Sequence, residues 1–346
     1  MQPLTLGKVA VRCGILAAVL FVVVVIALKF GAVPVSLYGL SKDLIGVLIG
    51  RSSEISSQYG MIIREIRLPR IALGIFVGAS LSVAGTSFQA LLRNPLADPY
   101  VLGVSSGAAV GSIVALIIEP HLALRPEIAA VFTPLGGFLG ATATIAVVYF
   151  LGRRDGKMDS NTLLLSGVIT ASFLSAIIIL LLTMLPSSSV RSMAYWLMGD
   201  LSTPMPPILG WVLRVGFFVG FALIYLTASD LNLLLAGEKE AMHLGVDVRK
   251  VQIVVYLVAS ALTGLAVAVG GAIGYVGLLI PHVMRLIFGT DYRMLLPAAA
   301  FGGAIAAVIA DTVARTVAAP NELPVGAITA MAGAPLFIYL LRRRLA

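Results

Sequence analysis

The run Arg64–Gly111, REIRLPRIALGIFVGASLSVAGTSFQALLRNPLADPYVLGVSSGAAVG, decides the fold class. Arginines open it, and Ile71–Leu92 then continues without a charged residue for the ~20 residues an α-helix needs to cross a bilayer. The run stops at Arg93, Asn94 and Pro95, a polar elbow. A second apolar run follows, in which Gly103, Gly107 and Gly111 recur at the four-residue spacing of one helix face, where helices in lipid approach closely. The stretch predicts two packed membrane helices joined by a marked polar break.

Composition extends that reading to the whole chain. Apolar residues make up 59% of the 346 residues and charged residues 12%, against ~25% in soluble domains. The bulk of the chain therefore lies in lipid, and its apolar content fills about ten helices of ~20 residues. The apolar runs are continuous and do not alternate, which excludes a β-barrel. The formal charge is +8, but the basic residues stand at the ends of apolar runs, as membrane-orientation signals do, so nucleic acid is not an expected partner. The single cysteine, Cys13, rules out an intrachain disulfide and a cysteine metal cluster. Lys8 and Arg12 followed by Cys13–Leu28 are read as a first membrane helix and not a cleaved leader, because Lys29 and Phe30 break the small-residue cleavage pattern.

Apolar runs and breaks predict ten helices, near residues 11–29, 70–92, 101–118, 130–151, 162–185, 207–226, 251–270, 274–288, 294–317 and 324–341. The eighth is short and holds Pro281, so a kink or tilt is expected there. An even number of spans puts both termini on one side. That side carries fourteen Lys and Arg against nine on the other, so the termini are predicted to be cytoplasmic. Six of the nine, Lys29, Lys42, Arg51, Arg64, Arg67 and Arg70, crowd one outer segment against the usual bias, which points to something acidic docking there. No linker divides the chain, so residues 1–346 are read as one permease domain. The 70–185 and 251–341 blocks hold four helices each and begin from opposite sides, the arrangement of an inverted-topology repeat.

Enzymatic constellations are poor. His121, His243 and His282 lie far apart and form no H-E-x-x-H pair, and Gly152–Lys157 is not a P-loop. No catalytic, metal or cofactor site is expected, and an intramembrane hydrolase would lack a facing nucleophile and base. If ATP drives the protein, another subunit hydrolyses it. Asp311 and Arg315 lie four apart near an outer helix end and can pair, while Arg214, seven residues into its helix, is read as snorkelling. Few other carboxylates fall inside the runs, which argues against an ion-coupled secondary transporter, the alternative reading. The loop LLLAGEKEAMHLGVDVRK, Leu233–Lys250, is the longest expected on the cytoplasmic side. Glu238 and Glu240 suit the first turn of a short helix, Gly245 its left-handed end, and Asp247 the start of another, so two small surface helices outside the membrane are expected to make a rigid knob. Such a knob can dock on a cytoplasmic motor.

RLPR (Arg67–Arg70), NPLADP (Asn94–Pro99), the LGVSSGAAVG run, GEKEAMHLGVDVRK, GLLIPHVMR (Gly277–Arg285) and ELPVGAITAMAGAPLF (Glu322–Phe337) together resemble the FecCD-type permeases. These are membrane subunits of type II ABC importers for iron-siderophores, haem and cobalamin, and the resemblance covers the chain from about residue 30. It implies an all-α fold of about ten membrane helices with two inverted four-helix repeats. It also implies a homodimer, two cytoplasmic ATPase subunits, a periplasmic binding protein, a metal-chelate or corrinoid solute and a place among the lipids of the bacterial inner membrane. Carried over by motif, Arg67, Arg70 and Arg315 resemble a socket for glutamates of the binding protein. Asn94, Leu96, Ser160 and Asn161 resemble the cytoplasmic gate. Glu238, Glu240, Ala241, His243, Leu244 and Gly245 resemble the coupling helix that sits on the ATPase. The segment Ser187–Ser202 is expected as an interfacial connection anchored by Tyr195 and Trp196.

Overall fold

A computed structural model describes residues 5–31, 58–154, 157–203 and 205–345. Within them the chain is almost wholly helical. Helix α1 covers Leu6–Lys29 and α2 Leu68–Leu91, the latter entered through a π-helical stretch, Ile62–Arg67. Then come α3 (Val104–Ile118), α4 (Pro126–Leu151), α5 (Ser160–Leu182), the short α6 (Ser187–Leu197) and α7 (Pro207–Leu226). Two small helices, α8 (Ala228–Leu234) and α9 (Glu238–His243), precede α10 (Val248–Gly270), α11 (Val276–Phe288), α12 (Tyr292–Ala314) and α13 (Val325–Leu345). A two-residue ladder, Arg153–Arg154 against Lys157–Met158, closes the turn between α4 and α5.

Among the described residues eight helices are long and apolar enough to cross a membrane, and α11 and α13 are shorter apolar ones, so each of the ten expected runs has its helix. Boundaries moved where polar residues proved helical. The RLPR segment continues the π-helical turn into α2, with Pro69 where the two join. Ser160 and Asn161 fall in the first turn of α5 and not before it, because Asp159 caps the helix by accepting from the Thr162 N–H at 2.8 Å. Gly103 is not on the glycine face. It ends a 3₁₀ turn (Pro99–Leu102) at φ +76°, and α3 starts after it. The Ser187–Ser202 connection holds an amphipathic helix, α6, with Tyr195 exposed and Met193 buried.

Helix α2 is the axis of the molecule. Nearly every residue from Val77 to Leu92 is buried, and α7, α10, α11 and α12 pack around it. In lipid there is no water to expel between helices, so close backbone approach supplies the contact energy. Small residues permit it: a methyl on Gly78 would overlap the Gly303 carbonyl of α12, and one on Gly85 the Gly277 carbonyl of α11. The expected glycine seam joins α3 to α4, Gly107 meeting Gly140 and Gly111 meeting Gly136. Tyr256 of α10 ties the two blocks, its hydroxyl donating to the Ile145 carbonyl of α4 at 2.9 Å while its ring meets Phe88 of α2 edge-on.

The two blocks run in opposite senses. Helices α2 and α12 bring Arg70, Asp311 and Arg315 together at one end, called here the arginine end. The start of α10, the end of α2 and the α8–α9 knob meet at the other, the knob end. Helix α1 terminates at the arginine end, and α13 departs from it, so the start of α1 and the end of α13 lie at the knob end.

Candidate functional sites at the two ends of the bundle

At the arginine end, Arg67, Arg70 and Arg315 are only 3%, 9% and 4% exposed. Each is engaged inside the chain. The Arg70 guanidinium donates from Nε to Asp311 Oδ1 at 2.8 Å and from a terminal nitrogen to Glu322 Oε2 at 2.8 Å. Arg67 donates to the Leu28 and Lys29 carbonyls, and Arg315 to the Ala27 carbonyl at 2.7 Å. These are the last carbonyls of α1, which have no partners within their own helix. Two arginines thus finish α1, and a cation at a helix C-terminus is also favoured by the helix dipole.

The three guanidiniums thus lie in an enclosed network within the chain. Asp311 prefers Arg70 to its neighbour on the same helix: the Arg315 Nε lies 3.8 Å from Asp311 Oδ2, too far for a good hydrogen bond. Asp311, 1% exposed, is a buried carboxylate, and its hydrogen-bonded partner is Arg70 of α2. Of the outer charge cluster, Arg64 is half-exposed beside Glu65, and Lys42 and Arg51 lie outside the described residues. Beside the network a cavity of about 460 Å³ is lined by Glu65, Arg70, Ser202, Thr203, Trp211 and Arg214. Arg214 lies over the Trp211 ring at 5.3 Å.

At the knob end, α2 closes in a Schellman turn. The Arg93 N–H bonds the Ala90 carbonyl at 3.1 Å and the Asn94 N–H bonds the Gln89 carbonyl at 3.2 Å. Asn94 then turns the chain, its side-chain oxygen accepting from the Leu96 N–H at 2.9 Å, which leaves Leu96 44% exposed. Asp98 caps the following turn by accepting from the Tyr100 N–H, and burial pushes its carboxyl up to about 6. The Tyr100 hydroxyl both donates to the Ile273 carbonyl and accepts from the Ile273 N–H, pinning the non-helical link between α10 and α11. Helix α5 reaches the elbow at Gly167, which packs on Val101 and Leu102. Asn161 is exposed and Ser160 partly so at the knob-end start of α5; among the described residues no hydrogen bond joins them to Asn94 or Leu96.

After α8 the knob holds one small helix where two were expected, because Asp247 caps the long α10 by accepting from the Lys250 N–H at 3.1 Å. Helix α9 carries Glu238 and Glu240 in its first turn and ends in a second Schellman turn around Gly245 at φ +88°. Leu244 is the residue after the helix. Ala241 is buried beneath, while Glu240, Met242, His243, Leu244 and Gly245 face outward with Leu235 of the preceding link. Exposed Met242 and Leu244 amid charges make a surface suited to a partner. Two brackets hold the knob. Asn232 of α8 donates to Asp291 at 2.8 Å and accepts from the Tyr292 N–H, at the start of α12. Arg293 and Asn232 hold the Asp291 carboxyl below its ordinary range. Glu238 accepts from Arg93 at 2.6 Å and from Gln252 at 3.2 Å.

Sequence reasoning missed Arg93, Gln89 and Gln252 as interacting residues. Gln89 donates to the Leu278 carbonyl and accepts from Arg285 at 3.0 Å, joining α2 to α11. A glutamine inside an apolar run and an arginine at a helix end were the available signals.

The chain as a whole is similar to known transport permeases. The chain is 42% identical over 292 residues to the cobalamin import system permease protein BtuC of Halobacterium salinarum, covering 82% of this chain and 74% of that one. It is 40% identical over 281 residues to the hemin transport system permease protein HmuU of Yersinia pestis, covering 81% and 83%. Among solved structures, an inward-facing chain assigned to a metal-chelate type ABC transporter superposes with a TM-score of 0.82 at 29% identity, covering 96% of this chain and 99% of that one. The model of the FecCD transport family matches residues 19–343, and the chain belongs to that family.

Proposed function

We propose that the chain is the permease of an ATP-driven importer that passes a metal-chelate or corrinoid solute from a periplasmic binding protein to the cytoplasm. The family match over residues 19–343 carries this reading. The relatives named for cobalamin and hemin transport suggest the solute class. The protein is not itself the enzyme: ATP hydrolysis belongs to a separate pair of subunits.

In this reading the single domain sits in the bacterial inner membrane with the knob end and both termini in the cytoplasm. Two copies associate, and the solute passes between them. Helix α5 supports that role, because Leu165, Phe173, Ile179 and Leu180 are all exposed and α5 has little buried surface of its own. Its exposed Ser172 and Ser175 hydroxyls bond their own backbone, at 2.9 and 2.8 Å, so a passing solute meets a mildly polar wall without strong donors. Asn94, Leu96, Ser160 and Asn161 close the pathway at its cytoplasmic end. Glu238, Glu240, Ala241, His243, Leu244 and Gly245 form the coupling element, with Met242 and Leu244 as its apolar contacts on the ATPase. The binding protein docks at the arginine end. There Arg67, Arg70 and Arg315 shape the surface and supply positive potential that steers an acidic partner, an effect on encounter more than on final affinity.

The test is reconstitution of the chain with its ATPase and binding protein in vesicles, offering haem, cyanocobalamin and a ferric hydroxamate siderophore in turn. Uptake of one of these is expected to stop when ATP hydrolysis is blocked. Uptake that persists without hydrolysis, driven by a proton or sodium gradient, overturns the reading in favour of a secondary transporter.

A further inference from the structure

The end of α2 contains an anomaly. In a Schellman turn the residue after the cap adopts a left-handed conformation that glycine takes without steric cost, and Gly245 occupies that place after α9 at φ +88°. After α2 the same place is held by Arg93 at φ +48°. Its backbone bonds, to Ala90 and from Asn94 to Gln89, are those a glycine would make, so nothing in the turn itself calls for a side chain. The side chain is used elsewhere. Its guanidinium donates to Glu238 Oε1 at 2.6 Å, and Glu238 is the first residue of α9. The same oxygen accepts from Gln252 of α10 at 3.2 Å. One carboxylate oxygen therefore joins the end of α2, the knob and the start of α10, and its arginine partner is bonded directly to Asn94 of the elbow.

We infer that Arg93 is a positioning residue that transmits displacement of the knob to the elbow: when α9 moves, the Arg93–Glu238 pair carries Asn94 and Leu96 with it. This rests on the importer reading, in which the knob is the motor's attachment and the elbow the gate. The geometry suits a joint that must make and break. Both partners are surface groups, 44% and 39% exposed, and an exposed ion pair is weak enough to be re-formed in each cycle. The other bracket, Asn232 with Asp291 and Tyr292, ties the knob to α12 and leaves the elbow alone. Among the described residues, Arg93–Glu238 is an ion pair that joins the knob to the rest of the chain.

Arg93→Gly is the informative variant, because it removes the side chain while giving the turn the residue its backbone favours, so misfolding does not confuse the result. Glu238→Gln removes the charge and keeps an acceptor oxygen for Gln252. The complete transporter, reconstituted with its ATPase and binding protein, is assayed for ATP hydrolysis and for uptake of haem, cyanocobalamin or a ferric hydroxamate. The number expected to move is solute carried per ATP. It falls at least fivefold in Arg93→Gly while hydrolysis stays within twofold of the parent. Arg93→Lys recovers at least half of the loss, and Arg93→Gly combined with Glu238→Gln is no worse than the poorer single variant, as two ends of one joint require. Solute per ATP within twofold of the parent in both single variants overturns the joint while leaving the importer reading intact. A parent transporter whose uptake ignores ATP hydrolysis overturns the importer reading, and the joint with it.

Discussion

The two ends of the molecule use the same chemistry in opposite ways. At the arginine end, guanidinium and carboxylate meet at 9% and 2% side-chain exposure, and Arg67 and Arg315 also finish helix α1. At the knob end, Arg93 and Glu238 meet half in solvent. An enclosed pair contributes little over an apolar packing of similar shape, but removing one member strands a charge that water cannot reach. An exposed pair can be lost at almost no cost to the fold. The first arrangement suits a fixture and the second a moving joint.

The largest test of that contrast is Asp311→Ala. It leaves Arg70 and Arg315 facing each other without their shared carboxylate, and a loss of about 3–5 kcal/mol is expected, read as a collapse in thermal unfolding temperature of the purified protein. Arg67→Glu combined with Arg70→Glu belongs to the same class. Glutamates there would face Asp311 and the α1 carbonyls, so the variant should fail to accumulate, and it does not serve as a clean docking probe. A milder change is Arg315→Met, which keeps bulk but removes the donor to Ala27. It should loosen the end of α1 at a cost of about 1–3 kcal/mol, seen as faster hydrogen exchange there.

Acidity sharpens the comparison at the knob end. Because the folded Asp98 carboxyl is raised to about 6 from an ordinary 3.8, its neutral form is the favoured one in the fold. Its contribution is complete below pH ~4 and is lost as pH rises through about 6, an effect of at most about 3 kcal/mol. Asp98→Asn should flatten that part of the stability profile; an unchanged slope would show that Asp98 titrates normally. The smallest effect is expected at the joint itself. Arg93→Gly should leave stability unchanged or raise it by up to about 1 kcal/mol, since the left-handed turn no longer holds a side chain. Chemical denaturation of the two proteins side by side measures this, and a loss above 2 kcal/mol would make Arg93 a structural residue.

Much of this architecture was legible in the chain. Uncharged runs gave the ten helices, and Glu238, Gly245 and Asp247 marked the start and end of α9 and the start of α10 because capping acts over three or four residues. What escaped were partnerships across long separations. Arg70 finds Asp311 across 241 positions and Arg93 finds Glu238 across 145, and no periodicity encodes such distances. Burial of the three arginines was missed for a related reason. An arginine next to an apolar run reads as the run's end in water, and only the arrival of the α1 carbonyls and of Asp311 from distant segments makes the interior habitable for it.

The uneven burial of the helices bears on how the chain reaches the membrane. Helices α1 and α5, the most apolar by sequence, have 6% and 11% of their apolar window buried, whereas α2, rich in Gly, Ser and Thr, has 83%. The first two can leave the insertion machinery as free spans, satisfied by lipid alone. Helix α2 gains little from lipid and much from its neighbours, so its final seating waits for α10–α12, which are made late. Biogenesis should therefore hold α2 in a provisional position until the chain is nearly complete, and truncations that remove α12 should leave α1 and α5 inserted and α2 exposed to quality-control proteolysis.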